Sequence, residues 1–552
     1  MRRPALIVSV LLLALVPACS DDGGSKASAS PPEITAATLE PNPANAISAV
    51  LHVETTAASQ VAATVEGPGG SFEVPADASA TEHTIPVVGM RATSDYTVTM
   101  HATAEAGGTT ADRTLEITTG ALPADLPPIT VGAANGKAMA PGYTVFNAMP
   151  WAPVPKGQPN PDSGYIIVVD ATGAVVWYAK IPLQILDIDT SPRGTFLVTA
   201  GDATIQEVDL FGHIVRDWGS RVATVNPKKN VVGQPLSTDK TKPIEVDSTH
   251  HEVTELPNGD LLTLSTELLH LSDADAKRLC PDNPETAIVG DIAVELTPDG
   301  KVVQRWPLSK VYDPTTTPGS EMCVVGPPVA PPNWFYPDDA PTRDWTHANA
   351  IALDAKDNTI IVSSRHLDRI LGLRYHDDGD GKAGELLWSL GVGGTIKIDG
   401  EPPHHQHAVE LEDDGSLMMY DNGNLRPGTT LAGGTAPPFS RAVRYSVDLK
   451  AGTAKQVWEH RDSWPDGRPI YTPFLGDVDL EPNGNVLITH GGGSSAKGVL
   501  MGRIIEVTPG DAADGSKDTT VFDITVGDGT GQGGWTLYRA ERLASLYFGK
   551  AS

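Results

Sequence analysis

The feature that most constrains this chain is an internal repeat. From about residue 142 onward, one unit recurs: a strand, a polar turn, and a second strand that ends in a bulky aromatic. It reads Ile166-Ile167-Val168-Val169-Asp170-Ala171-Thr172-Gly173-Ala174-Val175-Val176-Trp177, and again from Val294 through Asp299-Gly300 to Trp306. Similar units close at Trp218, Trp388 and Trp458, with a degenerate one near Phe522. A second unit alternates with the first, as in Glu255-Leu256-Pro257-Asn258-Gly259-Asp260-Leu261-Leu262, Glu410 to Leu417 and Asp479 to Leu487. Two hairpins per repeat make a four-stranded blade, and six repeats make a six-bladed β-propeller over 142–552. Five or seven blades stay open, because the first and last repeats are ragged.

Ahead of the repeat, residues 33–120 carry short alternating strands such as Ala49-Val50-Leu51-His52-Val53-Glu54 and Asp95-Tyr96-Thr97-Val98-Thr99-Met100. Separated by turn clusters such as Gly67-Pro68-Gly69-Gly70, they predict a small immunoglobulin- or fibronectin-like β-sandwich without a catalytic constellation. Residues 121–141 are expected to be a linker. The whole is all-β, in keeping with 55 glycines and 46 prolines.

Residues 1–19 have the form of an exported lipoprotein leader. Arg2 and Arg3 precede the apolar run Ala5 to Val16, which is short for a membrane span, and Val16-Pro17-Ala18-Cys19 resembles a lipobox with Cys19 as the lipidated residue. Residues 20–32 form a polar tether. The expected location is the cell envelope, in the periplasm or at the cell surface, with membrane contact through the lipid only. An even pair of cysteines in an exported chain predicts a disulfide between Cys280 and Cys323. The formal net charge of -29 disfavours nucleic acid and anionic membranes as partners. Any anion site must therefore be a local cluster of Arg and His.

Such a cluster is visible at the starts of three inner hairpins: Thr249-His250-His251-Glu252, Asp344-Trp345-Thr346-His347-Ala348-Asn349, and His404-His405-Gln406-His407-Ala408. Inner strands of a propeller line its central channel, so histidines at equivalent positions of different blades converge. Arg365, ending the strand Ile360 to Ser364, brings a permanent charge to the same funnel. Strand alternation predicts that His366 faces away from it, and His404 is expected in a loop. No H-E-x-x-H spacing, P-loop or dinucleotide fingerprint is present, and Asp377-Asp378-Gly379-Asp380-Gly381 fits a hairpin turn better than an EF-hand.

The segments Asp344-Trp345-Thr346-His347-Ala348-Asn349-Ala350-Ile351 and Ile360 to His366, with Gln406-His407-Ala408 and Asp421-Asn422-Gly423-Asn424-Leu425-Arg426, resemble the signatures of bacterial arylsulfate sulfotransferases. The resemblance runs from about residue 130 to 540. It implies a periplasmic enzyme that moves a sulfuryl group from a phenolic sulfate ester to an acceptor phenol, without a nucleotide sulfate donor, a metal or an organic cofactor. By motif position it implies His407 as nucleophile, passing through a covalent sulfohistidine in a ping-pong cycle. It further implies His347 and Arg365 as donor-binding and charge-stabilising residues, and Asn349 as a substrate-binding residue beside them. One of His250 and His251 completes the set, and turn spacing favours His251, which lies as far before Gly259 as His407 lies before Gly415. A homodimer is left open.

Two other readings of the same residues stand beside this one: a non-catalytic propeller that binds a ligand in the funnel, and a metal-dependent hydrolase or lyase using the blade histidines. A formylglycine sulfatase is disfavoured, because Cys280-Pro281-Asp282-Asn283-Pro284 does not match the required C/S-x-P-x-R.

Overall fold

A computed structural model describes residues 32–104, 108–110, 112–151, 163–201, 203–225, 238–324, 335–336, 338–339, 341–510, 517–529 and 534–549. The leader, with Cys19, and all of the tether except residue 32 lie outside the described residues.

The N-terminal domain is built around one 19-residue strand, Ala49–Gly67. Its first half pairs with Ile34–Pro41 and Ala80–Val87, and its second half with Gly70–Val74 and Asp95–Ala104. The register breaks between Glu54 and Ser59, so one strand serves both layers. Alternation then buries Leu51, Val53, Val61, Ala63 and Val65 between the layers. The domain docks on the first blade: Asn45 Nδ2 donates to the Tyr178 carbonyl at 2.8 Å, and Arg91 pairs with Asp170 at 2.5 Å.

Six sheets of four or five strands follow, making the six-bladed propeller. The four main strands of blades two to five run inner to outer in chain order, as in His250–Glu255, Leu261–His270, Ala287–Leu296 and Val302–Pro307 of the third blade, while the fifth adds an earlier outer-edge strand, Lys397–Asp399. The first and last blades are ragged in sequence because both chain ends close the ring. Ala540–Leu543 pairs with Tyr143–Trp151 as the inner strand of the first blade. Ile129–Ala134 pairs with Thr519–Val526 as the outer strand of the sixth. The stretch expected to be a linker, 121–141, thus contains a propeller strand. Its alternation is weak, reading Ile-Thr-Val-Gly-Ala-Ala, because only one of its edges is paired.

The repeating aromatic now has a physical cause. Trp177 donates its indole N–H to the Leu210 carbonyl in the next blade, Trp218 to Pro298, and Trp306 to Tyr375, at 3.0, 3.1 and 3.0 Å. Each ring, 1 % exposed or less, fills the wedge between successive blades and satisfies its one donor there. Trp388 fills its wedge without such a bond.

The longest excursion leaves the third blade. Helix Asp273–Leu279 interrupts it, and the loop after Lys310 returns over the channel. Cys280 and Cys323 form the expected disulfide, with Cα atoms 5.4 Å apart, and so tie that loop to the helix.

Candidate active site

Each inner strand of blades three to six begins on a kink. His251, His347, Ala408 and Leu475 have φ of 60°, 46°, 48° and 63°. The register shifts at the same places in blades three to five, between His250 and Val253, Ala348 and Ala350, and His407 and Glu410. A bulge re-aims the residue that precedes the regular strand, and non-glycine residues at positive φ are strained. Here the result is that ring nitrogens of His251, His347 and His407 come within 4.8 Å of one another.

His407 is 1 % exposed. Its Nδ1 lies 2.7 Å from Asn422 Oδ1, while Asn422 Nδ2 donates to the carbonyls of Thr472 and Leu475, both at 2.8 Å. Carbonyls only accept, so the amide orientation of Asn422 is fixed by its partners and its oxygen must face the ring. His407 therefore carries its proton on Nδ1 and leaves Nε2 with a lone pair. Nε2 faces the Leu475 N–H at 3.4 Å, a long contact. Burial, then the charge of Arg365, holds His407 well below the ordinary imidazole range.

His251 and His347 flank that nitrogen. The His251 ring lies 5.2 Å from that of His347, and its Nδ1 is 2.8 Å from His250 Nδ1, whose Nε2 lies 3.3 Å from Asp291. Burial, and then the neighbouring His250, His347, His407 and Arg365, push His251 well down. His347 donates from Nδ1 to Asp344 Oδ2 at 2.5 Å. Burial opposes the charge of Asp344, but His347, His366 and Arg365 outweigh it and keep the carboxylate ionised. The dyad turns His347 Nε2 toward the site.

Arg365 is held by Glu321 Oε2 at 2.8 Å and the Pro473 carbonyl at 3.2 Å, and its buried Nε donates to no described residue. Asn349 lies below this layer, 0 % exposed, and its amide donates to the Gln406 carbonyl at 2.8 Å. It ties blade four to blade five just before the nucleophile position. Tyr538 forms the floor, its hydroxyl donating to the Asn349 carbonyl at 2.9 Å and its ring 6.1 Å from that of His407.

One expectation is corrected. His366 does not face away: the strand ends at Ser364, so alternation no longer applies, and its ring packs 4.7 Å from that of His347. Its Nε2 lies 3.3 Å from Glu321. Sequence reasoning also missed Glu321, which faces Arg365, His366 and His405 together. Burial works against its charge, but those three partners outweigh it and hold it ionised. No motif marks it, because it comes from the disulfide-tied loop. Asn422 was in view inside Asp421 to Arg426, but its role depends on three partners distant in sequence. His404 is in a loop, as expected, and His490 is set aside from the cluster, with Nδ1 2.8 Å from the Tyr420 hydroxyl.

The spacing of the three imidazoles also suits a metal ion, with Asp344 as the outer carboxylate partner of His347.

The family model described as arylsulfotransferase (ASST) matches residues 129–526, and the one described as arylsulfotransferase Ig-like domain matches 36–120. Over 344 residues the chain is 27% identical to the arylsulfate sulfotransferase AssT of Escherichia coli O6:H1, a match covering 56% of this chain and 52% of that protein. Over 347 residues it is 24% identical to AssT of Lelliottia amnigena, again covering 56% and 52%. The chain thus spans about half the length of the curated relatives it matches. Among solved structures it is similar to the periplasmic gluconolactonase PpgL of Pseudomonas aeruginosa, at 12% identity and a TM-score of 0.32, covering 73% of this chain and 99% of that one. It is also similar to a protein of unknown function from Bacteroides caccae, at 11% identity and a TM-score of 0.30, covering 73% and 94%.

Proposed function

Because this chain belongs to the arylsulfotransferase family, we propose that it transfers a sulfuryl group from a phenolic sulfate ester to an acceptor phenol through a covalent intermediate on His407. The observation that carries the proposal is the unprotonated Nε2 of His407, whose lone pair takes a long, 3.4 Å contact from the Leu475 N–H. Asn422 holds the proton on the opposite nitrogen, and burial beside Arg365 keeps the ring neutral. A neutral imidazole with its lone pair aimed into a cationic funnel is a nucleophile for sulfur.

In the first half-reaction Nε2 forms a bond to sulfur as the sulfur–oxygen bond to the donor breaks, and a phenolate leaves. The sulfuryl oxygens stay negative throughout. Arg365, with Nε free among the described residues and its fork set by Glu321, supports them electrostatically. Each such donor is worth about 3 kcal/mol in a water-poor site. In the second half-reaction the acceptor oxygen attacks sulfur, the sulfur–nitrogen bond breaks, and His407 returns to neutrality. An acceptor phenol has a pKa of about 10, so a base assists its attack. His347 and His251 are the candidates, each offering Nε2 while its Nδ1 is engaged. The Cys280–Cys323 disulfide supports residence in an oxidising compartment, as the expected leader would provide.

The spacing of the three imidazoles favours one second reading, a metal-dependent hydrolase. Transfer from para-nitrophenyl sulfate to phenol, measured in EDTA with the wild type and His407→Ala, separates the two. Phenol-dependent nitrophenol release that persists in EDTA and vanishes in the variant supports the sulfuryl transferase. Release that stops in EDTA and returns with zinc supports the hydrolase.

A further inference from the structure

Farther along the same inner strands the channel changes character. Asp477, Asp479 and Glu481 alternate along and just beyond the strand Asp477–Leu480, so all three face one side. Glu541 comes from the neighbouring strand Ala540–Leu543, and Glu410 from blade five. Glu410, Asp479, Glu481 and Glu541 line a cavity of about 250 Å³. One oxygen from each of Asp477, Asp479 and Glu541 lies within 4.8 Å of the others.

Two arginines lie near the cluster and pair mainly with other carboxylates, with Arg539 Nε and Nη2 and Arg542 Nε making no hydrogen bond among the described residues. Arg539 faces Asp187, Glu252 and Asp477 at 3.3, 3.0 and 3.7 Å, and Arg542 is bound to Glu506. Several carboxylate oxygens are left over. Glu481, 4 % exposed, lines the cavity, and its Oε1 accepts no hydrogen bond; Arg542 Nε, 3.9 Å away, is too far for one. Asp477 Oδ1, in a residue 1 % exposed, and Asp479 Oδ2 also accept none. Crowded carboxylates without donors are costly unless a positive charge joins them. The donor set is oxygen only, which selects a hard cation over zinc or copper. Oxygens that bind one calcium ion lie within roughly 5 Å of one another, so three oxygens this close can share an ion.

We propose that Asp477, Asp479 and Glu541 bind one calcium-class divalent cation, which fastens the C-terminal strand of the first blade to the sixth blade. The ion would close the ring where the two chain ends meet. The inference rests on the propeller alone and is independent of the sulfuryl-transfer reading.

The test uses the full chain, stripped with EDTA and desalted, titrated calorimetrically with calcium or magnesium chloride, with thermal unfolding followed in parallel. One equivalent of calcium should bind and raise Tm. Asp479→Asn and the double variant Asp479→Asn/Glu541→Gln should weaken binding at least about tenfold, as lost ligands do. Both should lose the calcium-dependent rise yet unfold, metal-free, no lower than the metal-free wild type, because repulsion is relieved. Folded wild type that shows neither heat nor a Tm shift with millimolar calcium or magnesium would overturn the proposal, leaving protons to neutralise the cluster. An equal calcium effect on wild type and Asp479→Asn would also overturn it, by placing the ion elsewhere, for instance at the turn 377–381.

Discussion

The two ends of the central channel are built from the same inner strands and differ in how those strands are bent. At the histidine end the chain is kinked at His251, His347, Ala408 and Leu475, and register shifts in blades three to five. At the carboxylate end the strands are regular, and simple alternation sets Asp477, Asp479 and Glu481 in a row. Kinks aim single side chains at a point, whereas alternation only lines a wall. Desolvation acts on both ends and keeps His407 and His251 neutral at one of them. A neutral, aimed base suits covalent chemistry; a row of oxygens suits a bound cation.

If the ends are independent, changes at one should not reach the other. The largest effect is expected at Arg365. Arg365→Gln should lower the rate of donor cleavage about a hundredfold to a thousandfold, with calcium binding and the calcium-dependent Tm unchanged. A matching loss of calcium affinity would break the comparison. Next is Asn422→Leu, which releases the His407 tautomer and should cost about tenfold to a hundredfold in kcat with donor KM little changed. A normal kcat would mean that Asn422 only packs.

The pH dependence sharpens the same point. The neutral form of His407 is the active one, and its pKa is depressed. Donor cleavage should therefore hold its rate as pH falls through the ordinary imidazole value of about 6.5 and fail only below it. Asn422→Asp, which would favour imidazolium, should move that acidic limb upward. Stopped-flow release of nitrophenolate without acceptor reads both. The smallest effect on turnover is expected from the double variant Cys280→Ser/Cys323→Ser. It frees the loop that carries Glu321 and should cost about 4 kcal/mol of stability, from the 43-residue separation it closes. In the surviving folded protein, turnover should fall only a few-fold, through a looser Arg365.

Much of this was legible from the residues. The Trp-ended repeat exposes the propeller because each ring fills the wedge between successive blades, and three of the indoles satisfy their N–H in the next blade, which favours the same residue at the same place. The three histidine starts were visible for a similar reason: equivalent positions of equivalent blades meet at the axis. What was hidden lies where chain order and space part company. Ile129–Ala134 looked like linker because its only partner is near the other end of the chain. Glu321 carries no motif, and only the disulfide-tied loop brings it over the funnel. His366 was placed by alternation two residues past the end of the strand for which alternation holds.

The central claim is that His407 itself takes the sulfuryl group. The most direct measurement is mass spectrometry of the protein mixed with para-nitrophenyl sulfate in the absence of acceptor, quenched at high pH to protect a phosphoramidate-like sulfur–nitrogen bond. The account predicts a gain of one sulfuryl mass, mapped to the peptide that holds His407, absent from Asn422→Leu at early times and discharged on adding phenol. Rapid nitrophenol release with no modified His407 peptide, or with the added mass on His347 or His251, would contradict it.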